Sequence, residues 1–377
     1  MSNIRFMLMN MNSHIADLHI SNNKILVKHL YLDNLNSVKN IYTYIESRLN
    51  SVNRNGIHIL NKLNNLDSPE KFLSVTRAIS CNDTLWVNDL HNITTWDKIN
   101  PYRNKTNRAV AEIAIDGEST LGYHSIKCAS PQYTLDGSAD KCVKMTEDGL
   151  YLYKTSGERW SDLAGCRPYC EYYASIIAEQ LGLNDFVMYR MDLTKTPDNL
   201  IKPYVYCKMF TSEDYGLTQM RYSKYRDYSS DALVAELDTI SKQRYKNMLV
   251  FDSLVLNPDR HTGNYGFMIS NKYGHIVSLA PIYDNDCSLG ALTSIQDKTF
   301  EQAFNEIKYS KLPRTELGGY DEQAAWAMTK DMYIRLRDIG RITLGQRMPG
   351  ISQKRFDFME YLVNRRRVEI LNLFGGS

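Results

Sequence analysis

A polar run, Asn257-Pro-Asp-Arg-His-Thr-Gly-Asn264, interrupts the second half of the chain and limits the folds that the chain can adopt. The preceding segment, 231–256, has a helical pattern, and this helix must end at Asn257 because a residue before proline avoids helical geometry. A short strand is then predicted at 276–279, and Asp284 follows it. We therefore expect the chain to turn back and place Asp284 beside the polar run.

Three side chains of this region form a set that is suited to phosphoryl transfer. Asp259 and Asn264 lie in one tight loop, and Asp284 comes after the strand. Phosphoryl transfer needs a carboxylate that orients the attacking hydroxyl, together with oxygen ligands for Mg²⁺. A plain polar turn explains each tripeptide but not the whole arrangement. The spacing is that of a kinase catalytic loop and its later metal-binding aspartate.

A kinase also needs a strand lysine that holds the phosphates of the nucleotide and a helix glutamate that positions this lysine. The alternating pattern at 150–155 predicts a half-buried strand that carries Lys154. Pro168 suits the first turn of a helix and Gly182 its end, so Glu171 is predicted to lie on a helix. On their own, such charges are usually solvated; beside the distal loop we interpret Lys154 and Glu171 as a functional pair.

Two further segments are predicted to contact the nucleotide. The loop 134–141 contains a glycine and ends in a lysine before a strand, and the backbone N–H groups of such a loop can hold phosphate. Its candidate residues are Thr134, Gly137, Ser138 and Lys141. The predicted strand 202–210 would lead to the hinge between two lobes, where adenine sits, which makes Lys208 and Phe210 candidates.

Arg260 and His261 lie inside the polar run, between the predicted catalytic and metal-binding residues. Both are capable of catalysis in principle. We expect them instead to hydrogen-bond or pack the loop from behind, and we place His261 among the residues that support nucleotide binding.

Together these residues resemble the HipA-like serine/threonine kinases, a family that includes toxins of toxin–antitoxin pairs and bacterial effector kinases. The resemblance is strongest at NPDRHTGN and LAPIYD, and weaker at YLYK and PYCEYYASIIAEQLG. It implies an ATP- and Mg²⁺-dependent protein kinase in which Asp259 is the catalytic base and Asn264 and Asp284 bind the metal. It further implies that the phosphate loop can be autophosphorylated, with Ser130, Thr134 and Ser138 as the available hydroxyls.

The resemblance and the order of elements predict an α+β, bilobal, protein-kinase-like fold. We expect a small N-terminal α/β module at 1–120, a kinase N-lobe at 121–212 and a helical C-lobe at 213–377. No apolar run is long enough to span a bilayer and no signal peptide is recognised, so a cytoplasmic protein or a secreted effector is expected. The partners implied are a protein substrate with a Ser or Thr hydroxyl and an antitoxin or host protein.

Several departures leave two alternatives open. The phosphate loop is poor in glycine, and Asp284 lacks the Phe-Gly that follows the metal aspartate of typical protein kinases. The catalytic run also resembles that of phosphoinositide kinases, but the segment 285–299 has only one cation, Lys298, with which to meet an anionic headgroup. The third interpretation is a pseudokinase or a nucleic-acid-binding module that uses the basic tail at 365–367, although such a run is more often a solvated helix face.

Overall fold

The computed structural model describes residues 5–31, 47–49, 54–119, 126–156, 166–195 and 201–375. These parts of the chain contain three antiparallel sheets and the helices that pack on them. The strands are β1 (Phe6–Asn10), β2 (Ser13–Ser21), β3 (Lys24–Leu30), β4 (Leu85–Asp89), β5 (Asp140–Thr146), β6 (Gly149–Thr155), β7 (Arg190–Lys195), β8 (Ile201–Lys208), β9 (Tyr215–Gln219), β10 (Gly266–Ser270) and β11 (Ile276–Leu279). The helices are α1 (Asn55–Leu63), α2 (Pro69–Thr76), α3 (Trp96–Ile99), α4 (Arg108–Asp116), α5 (Arg167–Gln180), α6 (Ser230–Glu236), α7 (Thr239–Val255), α8 (Phe300–Ser310), α9 (Tyr320–Ala327), α10 (Lys330–Asp338) and α11 (Gln353–Asn372).

The first sheet has the order β3-β2-β1-β4 and shares an apolar core with helices α1, α2 and α4. Alternation in β1 directs Phe6 and Leu8 into this core, where both are fully buried. Helix α1 can approach α4 closely because it has glycine at position 56, where a Cβ atom would collide with the carbonyl oxygen of Ile113. The small α/β module expected at the N-terminus is therefore present in the described residues.

The second sheet has the order β5-β6-β8-β7 and is covered by helix α5. As expected, Pro168 occupies the first turn of α5, and Gly182 follows its end with a left-handed φ of +66°. The backbone N–H of Leu183 then donates to the carbonyl of Ala178 at 3.1 Å, which closes the helix end. These end contacts fix the helix that carries Glu171.

The third sheet, β11-β10-β9, and helices α6 to α11 contribute to the largest core of the protein. A direct backbone link joins this body to the second sheet. The N–H of Val187, just before β7, donates to the carbonyl of Ile282 at 2.8 Å, and the N–H of Ile282 donates to the carbonyl of Asp185 at 2.7 Å. The segment that ends in Asp284 is therefore held against the sheet that carries Lys154.

The helix predicted at 231–256 is in fact two helices, α6 and α7. The chain leaves helical geometry at Leu237, where ψ is 143°, and Asp238 begins the next helix. The Asp238 carboxylate accepts hydrogen bonds from the N–H groups of Ile240 and Ser241 at 2.9 and 3.0 Å. An N-cap of this kind starts a helix, and the apolar pattern on either side of it concealed the break.

The loop expected at 134–141 is also shorter than predicted. Residues Pro131–Thr134 form a 3₁₀ turn that the Ser130 hydroxyl caps, and β5 already begins at Asp140. The irregular stretch that can approach a phosphate is therefore 135–139.

No helix among the described residues is long and apolar enough to cross a membrane.

The N-terminal module contacts the phosphate loop through a buried arginine. Arg54, which is 2% exposed, donates to the carbonyl oxygens of Lys141, Gln132 and Leu135 at 2.9, 3.0 and 3.0 Å. Burial lowers the pKa of Arg54 to about 10, so its guanidinium is still charged near neutral pH. One side chain thus satisfies three backbone acceptors on both sides of the loop.

We predict that Arg54→Met lowers the free energy of unfolding by about 2–5 kcal/mol, because buried carbonyls would lose their donors. Urea titration measures the change. Arg103→Met is the matched control, since Arg103 is 64% exposed and pairs with Glu213 at the surface. Equal stability of the two variants would contradict a role for Arg54 in holding the loop.

Candidate active site

A buried lysine lies between two carboxylates at the junction of the second sheet and the helical body. The Lys154 Nζ atom lies 3.0 Å from Glu171 Oε2 and 2.7 Å from Asp284 Oδ1. The second oxygen of Glu171 accepts a hydrogen bond from the N–H of Asn285 at 3.2 Å. Strand β6, helix α5 and the segment after β11 therefore meet at one ammonium group.

The charges of this group stabilise each other. Burial alone would lower the pKa of Lys154, but Asp284 and Glu171 raise it well above its usual value. Burial likewise opposes ionisation of Asp284, but Lys154 and then Lys141 hold the pKa of that carboxyl far below its usual range. The lysine is thus an ammonium and Asp284 a carboxylate, which are the charge states that phosphate and Mg²⁺ binding require.

Arg260 is the centre of the hydrogen-bond network behind the polar run. Its guanidinium makes a two-point contact with Asp252, at 2.8 and 2.9 Å, and donates to the carbonyl of Asn264 at 2.7 Å. It also donates to the carbonyl of Tyr283 and, at 2.7 Å, to Asn285 Oδ1. Arg260 is 2% exposed and links the polar run to both sides of Asp284, which is the supporting position that we expected.

His261 lies in the same loop and accepts a hydrogen bond at Nδ1 from the N–H of Gly263 at 2.9 Å. Burial, followed by the nearby Arg314 and Arg221, lowers the pKa of His261, although Asp259 opposes this shift. The imidazole therefore shapes the loop as a neutral group.

The predicted catalytic and metal-binding residues of the loop are in direct contact. The Asn264 side-chain N–H donates to the carbonyl of Asp259 at 2.9 Å, so the ends of the loop are tied together. The Asp259 carboxylate is 25% exposed and lies 3.0 Å from Arg314 Nη2 and 3.8 Å from the Cys287 sulfur. It therefore opens toward solvent, where an acceptor hydroxyl can approach.

Asp284 itself has an unusual backbone conformation. Its φ is +61°, in the left-handed region, which costs a non-glycine residue about 1–3 kcal/mol. The network around Arg260 and Asn285 holds the flanking peptide groups in place. The typical kinase has a different sequence after the metal aspartate; here Asn285 supplies both the N–H for Glu171 and the side-chain oxygen for Arg260.

The structure distributes the predicted phosphate-loop residues over two environments. Thr134 is buried, and its hydroxyl donates to the carbonyl of Ile79 at 2.6 Å. Gly137 and Ser138 form the exposed tip, and Gly137 has a φ of +87°. Lys141 Nζ donates to the carbonyl of Asp136 at 2.6 Å, and burial, together with Lys154, lowers its pKa to about 8.

The two hinge candidates differ in position. Phe210 packs with Tyr283, the rings lying 5.5 Å apart, beside the apolar cluster behind Lys154. Lys208 is exposed. In the antiparallel pairing of β6 with β8, Lys208 lies opposite Tyr151, whereas Val205 lies opposite Lys154. Because neighbouring strand positions point to opposite faces, Lys208 lies on the face of the sheet away from Lys154, and the structure does not bring it into the cleft.

Two residues of the cluster were missed by sequence reasoning. Ligand oxygens of Glu171, Asp284 and Asp286 lie within 4.8 Å of one another. Arg167, the first residue of α5, pairs with Asp286 at 2.7 Å. Asp286 lies two residues after the predicted metal ligand, and that spacing was the available sequence indication.

The donor set suits Mg²⁺, which prefers oxygen ligands and commonly uses one or two protein carboxylates. Lys154 forms ion pairs with both Glu171 and Asp284, and Arg167 forms one with Asp286. Asn264 donates through its amide nitrogen, which leaves its amide oxygen as the ligand atom. Asn264 and Asp284 therefore offer one amide oxygen and one carboxylate to an ion, and the cluster of Glu171, Asp284 and Asp286 offers an alternative set of carboxylates.

The basic tail has a structural role. Arg366 is fully buried, donates to the carbonyl of Ser253 at 3.0 Å, and pairs with Asp321 and Glu369 at 2.8 and 2.7 Å. Arg367 donates to two backbone carbonyls at the end of α10. The expectation of a solvated helix face is therefore wrong for Arg366, which instead fastens α11 to the core.

Comparison with solved structures identifies chains of similar fold. The chain is similar to HipA of Shewanella oneidensis MR-1, solved with HipB and operator DNA, with a TM-score of 0.52 and 12% identity over 98% of this chain and 97% of that one. It is also similar to the proinflammatory kinase CtkA of Helicobacter pylori, with a TM-score of 0.49 and 19% identity over 63% of this chain and 91% of that one. No protein-family model and no curated protein matches the sequence.

The likeness to HipA extends over nearly the whole chain, and at this identity it concerns the fold alone. The predicted resemblance to HipA-like kinases is confirmed at that level, as is the α+β, bilobal architecture. The residue roles and the domain boundaries proposed from the sequence stay predictions.

Proposed function

We propose that the protein is an ATP- and Mg²⁺-dependent serine/threonine protein kinase of the HipA-like type. The observation that supports this most is the Lys154 ammonium held within 3.0 Å of both Glu171 and Asp284. A lysine of this kind holds the phosphates of a nucleotide, a helix glutamate orients it, and the aspartate binds the metal. The remaining parts, Asp259 and Asn264, lie in the adjacent loop.

In the proposed reaction, an acceptor hydroxyl attacks the γ-phosphorus of ATP while the bond to the β-phosphate oxygen breaks and ADP leaves. Asp259 orients the hydroxyl and accepts its proton. Lys154 keeps its contact with Glu171 and contacts the nucleotide phosphates with its remaining N–H groups. Asn264 and Asp284 would hold Mg²⁺, which supplies charge neutralisation for the transferring phosphoryl group.

Lys141 is placed to add a second positive charge at the phosphate loop. Its ammonium lies at the base of the loop, against the carbonyl of Asp136, and the glycine at position 137 leaves room for it: a Cβ there would lie 2.8 Å from Lys141 Nζ. The loop therefore offers its exposed tip and this cation to a phosphate.

An antitoxin or host partner for this chain stays a prediction from the resemblance. HipB and operator DNA accompany the Shewanella protein, and we extend neither to this chain. The arginines at 366 and 367 are engaged within the fold, so they offer little support for a nucleic-acid partner.

We expect the protein to label itself on the phosphate loop. Ser130 and Thr134 are both buried, whereas Ser138 is exposed at the loop tip. Incubation with Mg-ATP followed by mass spectrometry should find phosphate on Ser138, and Ser138→Ala should remove it, with Ser310→Ala, at the exposed end of α8, as the serine control. Phosphate on Thr134 would mean that the loop leaves the described position before transfer. Phosphoinositide product without phosphoprotein would favour the lipid-kinase alternative.

We predict that Asp259→Asn and Asp284→Asn separate catalysis from binding. Losing a positioned acid–base group should cost about 10²- to 10⁴-fold in rate with nearly normal nucleotide affinity. Losing the metal ligand should weaken Mg²⁺-dependent ATP binding as well. Calorimetry with and without Mg²⁺, together with labelled-ATP turnover, measures both effects. Substantial transfer by a well-folded Asp259→Asn protein would show that Asp259 only shapes the turn.

A further inference from the structure

An exposed arginine contacts the predicted catalytic carboxylate from the acceptor side. Arg314 lies between α8 and α9, and its Nη2 atom is 3.0 Å from Asp259 Oδ1. The Arg314 side chain is 59% exposed, whereas the carboxylate is 25% exposed. The arginine therefore lies at the mouth of the site, outside the Lys154 cluster.

The segment that carries Arg314 is anchored on both sides. The Tyr320 hydroxyl donates to the carbonyl of Lys311 at 2.7 Å, and the Thr315 hydroxyl donates to Gln323 Oε1 at 2.8 Å. Pro313, the residue before the arginine, is buried. The guanidinium is therefore presented by a fixed backbone.

A second arginine approaches the same loop from the 3₁₀ turn that follows β9. The Arg221 backbone N–H donates to the carbonyl of Thr262 at 2.9 Å, and its guanidinium forms an ion pair with Asp136 of the phosphate loop. Gly263 leaves space for this side chain, since a Cβ there would lie 3.1 Å from the Arg221 guanidinium carbon. The two arginines flank the loop, and His261 lies within electrostatic range of both.

Arg314 contacts the proposed site through Asp259, and Arg221 contacts it through Asp136 of the phosphate loop. Their present partners, Asp259 and Asp136, are carboxylates of the chain itself. An acceptor hydroxyl must reach Asp259 to be deprotonated, so the residues beside that hydroxyl come next to Arg314. During transfer, the Arg314 guanidinium would therefore attract acidic residues beside the hydroxyl and repel basic ones.

We propose that Arg314 and Arg221 form an acceptor subsite that selects a hydroxyl in an acidic peptide. This inference rests on the proposed function, because it assigns an acceptor class to the same site. Guanidinium groups bind carboxylates with matched geometry, and a basic flank next to the hydroxyl would be repelled. Because both pairs are partly exposed, each contributes modestly, and we expect about a 3- to 10-fold preference for acidic over neutral flanks at low salt.

The test uses the full chain and three serine peptides of equal length, with Glu, Gln or Lys beside the serine. Their serine-to-alanine forms measure binding without transfer, by fluorescence anisotropy. In wild-type protein, both binding and kcat/KM should fall in the order Glu, Gln, Lys. Arg314→Glu should reverse that order and leave the Gln peptide least affected. Arg221→Gln should reduce the preference without reversing it.

Arg337→Glu is the matched control, because Arg337 is 58% exposed and pairs with Asp338 at 2.7 Å on the distant helix α10. It should keep the wild-type order. If Arg314→Glu lowers kcat equally for all three peptides, Arg314 only positions Asp259 and the subsite is excluded. If binding discriminates between the peptides but no peptide is phosphorylated, the kinase proposal fails while the acidic preference stands. Equal binding of all three peptides by wild-type protein overturns the inference.

Discussion

The structure depends on one buried ammonium group. Lys154 and Glu171 are almost fully buried and compensate each other's charge, and the partly exposed Asp284 adds a second carboxylate to the lysine. Removing Lys154 would leave the Glu171 carboxylate buried without its cation, which is strongly destabilising. The ion pairs therefore hold β6, α5 and the segment after β11 together, and the same contact that closes the junction assembles the candidate phosphate-binding site.

A second network positions the loop 257–264 relative to that junction. Arg260 is paired with Asp252 inside α7, and its other donors reach the carbonyl groups of Asn264 and Tyr283. These contacts hold the residues on both sides of Asp284, which has a strained φ of +61°. The loop can therefore keep its two polar ends, at Asp259 and Asn264, in a fixed position relative to the lysine cluster. A hydroxyl that reaches Asp259 would have to displace Arg314 or Cys287 from the carboxylate.

Individual strands and helices could be predicted from the sequence, whereas the pairing of strands and the tertiary contacts could not. Alternation predicted the half-buried strand that carries Lys154, and the end signals of α5 predicted the helix that carries Glu171. The contact between the two side chains comes from the tertiary structure. Alternation alone does not say which partner a strand residue meets, and Lys208 was assigned to the cleft although its pairing with Tyr151 puts it on the other face. Arg314 lies far from Asp259 in the chain, in a segment without periodicity, so only the tertiary structure joins them.

The most direct test of the account is a crystal structure of the protein with Mn²⁺ and a non-hydrolysable ATP analogue. The anomalous scattering of manganese distinguishes the metal ion from water molecules and protein atoms. We expect a manganese peak between Asn264 and Asp284, with the Lys154 ammonium on a phosphate oxygen and still in contact with Glu171. A peak between Glu171 and Asp286, or a nucleotide bound away from Lys154, would contradict it.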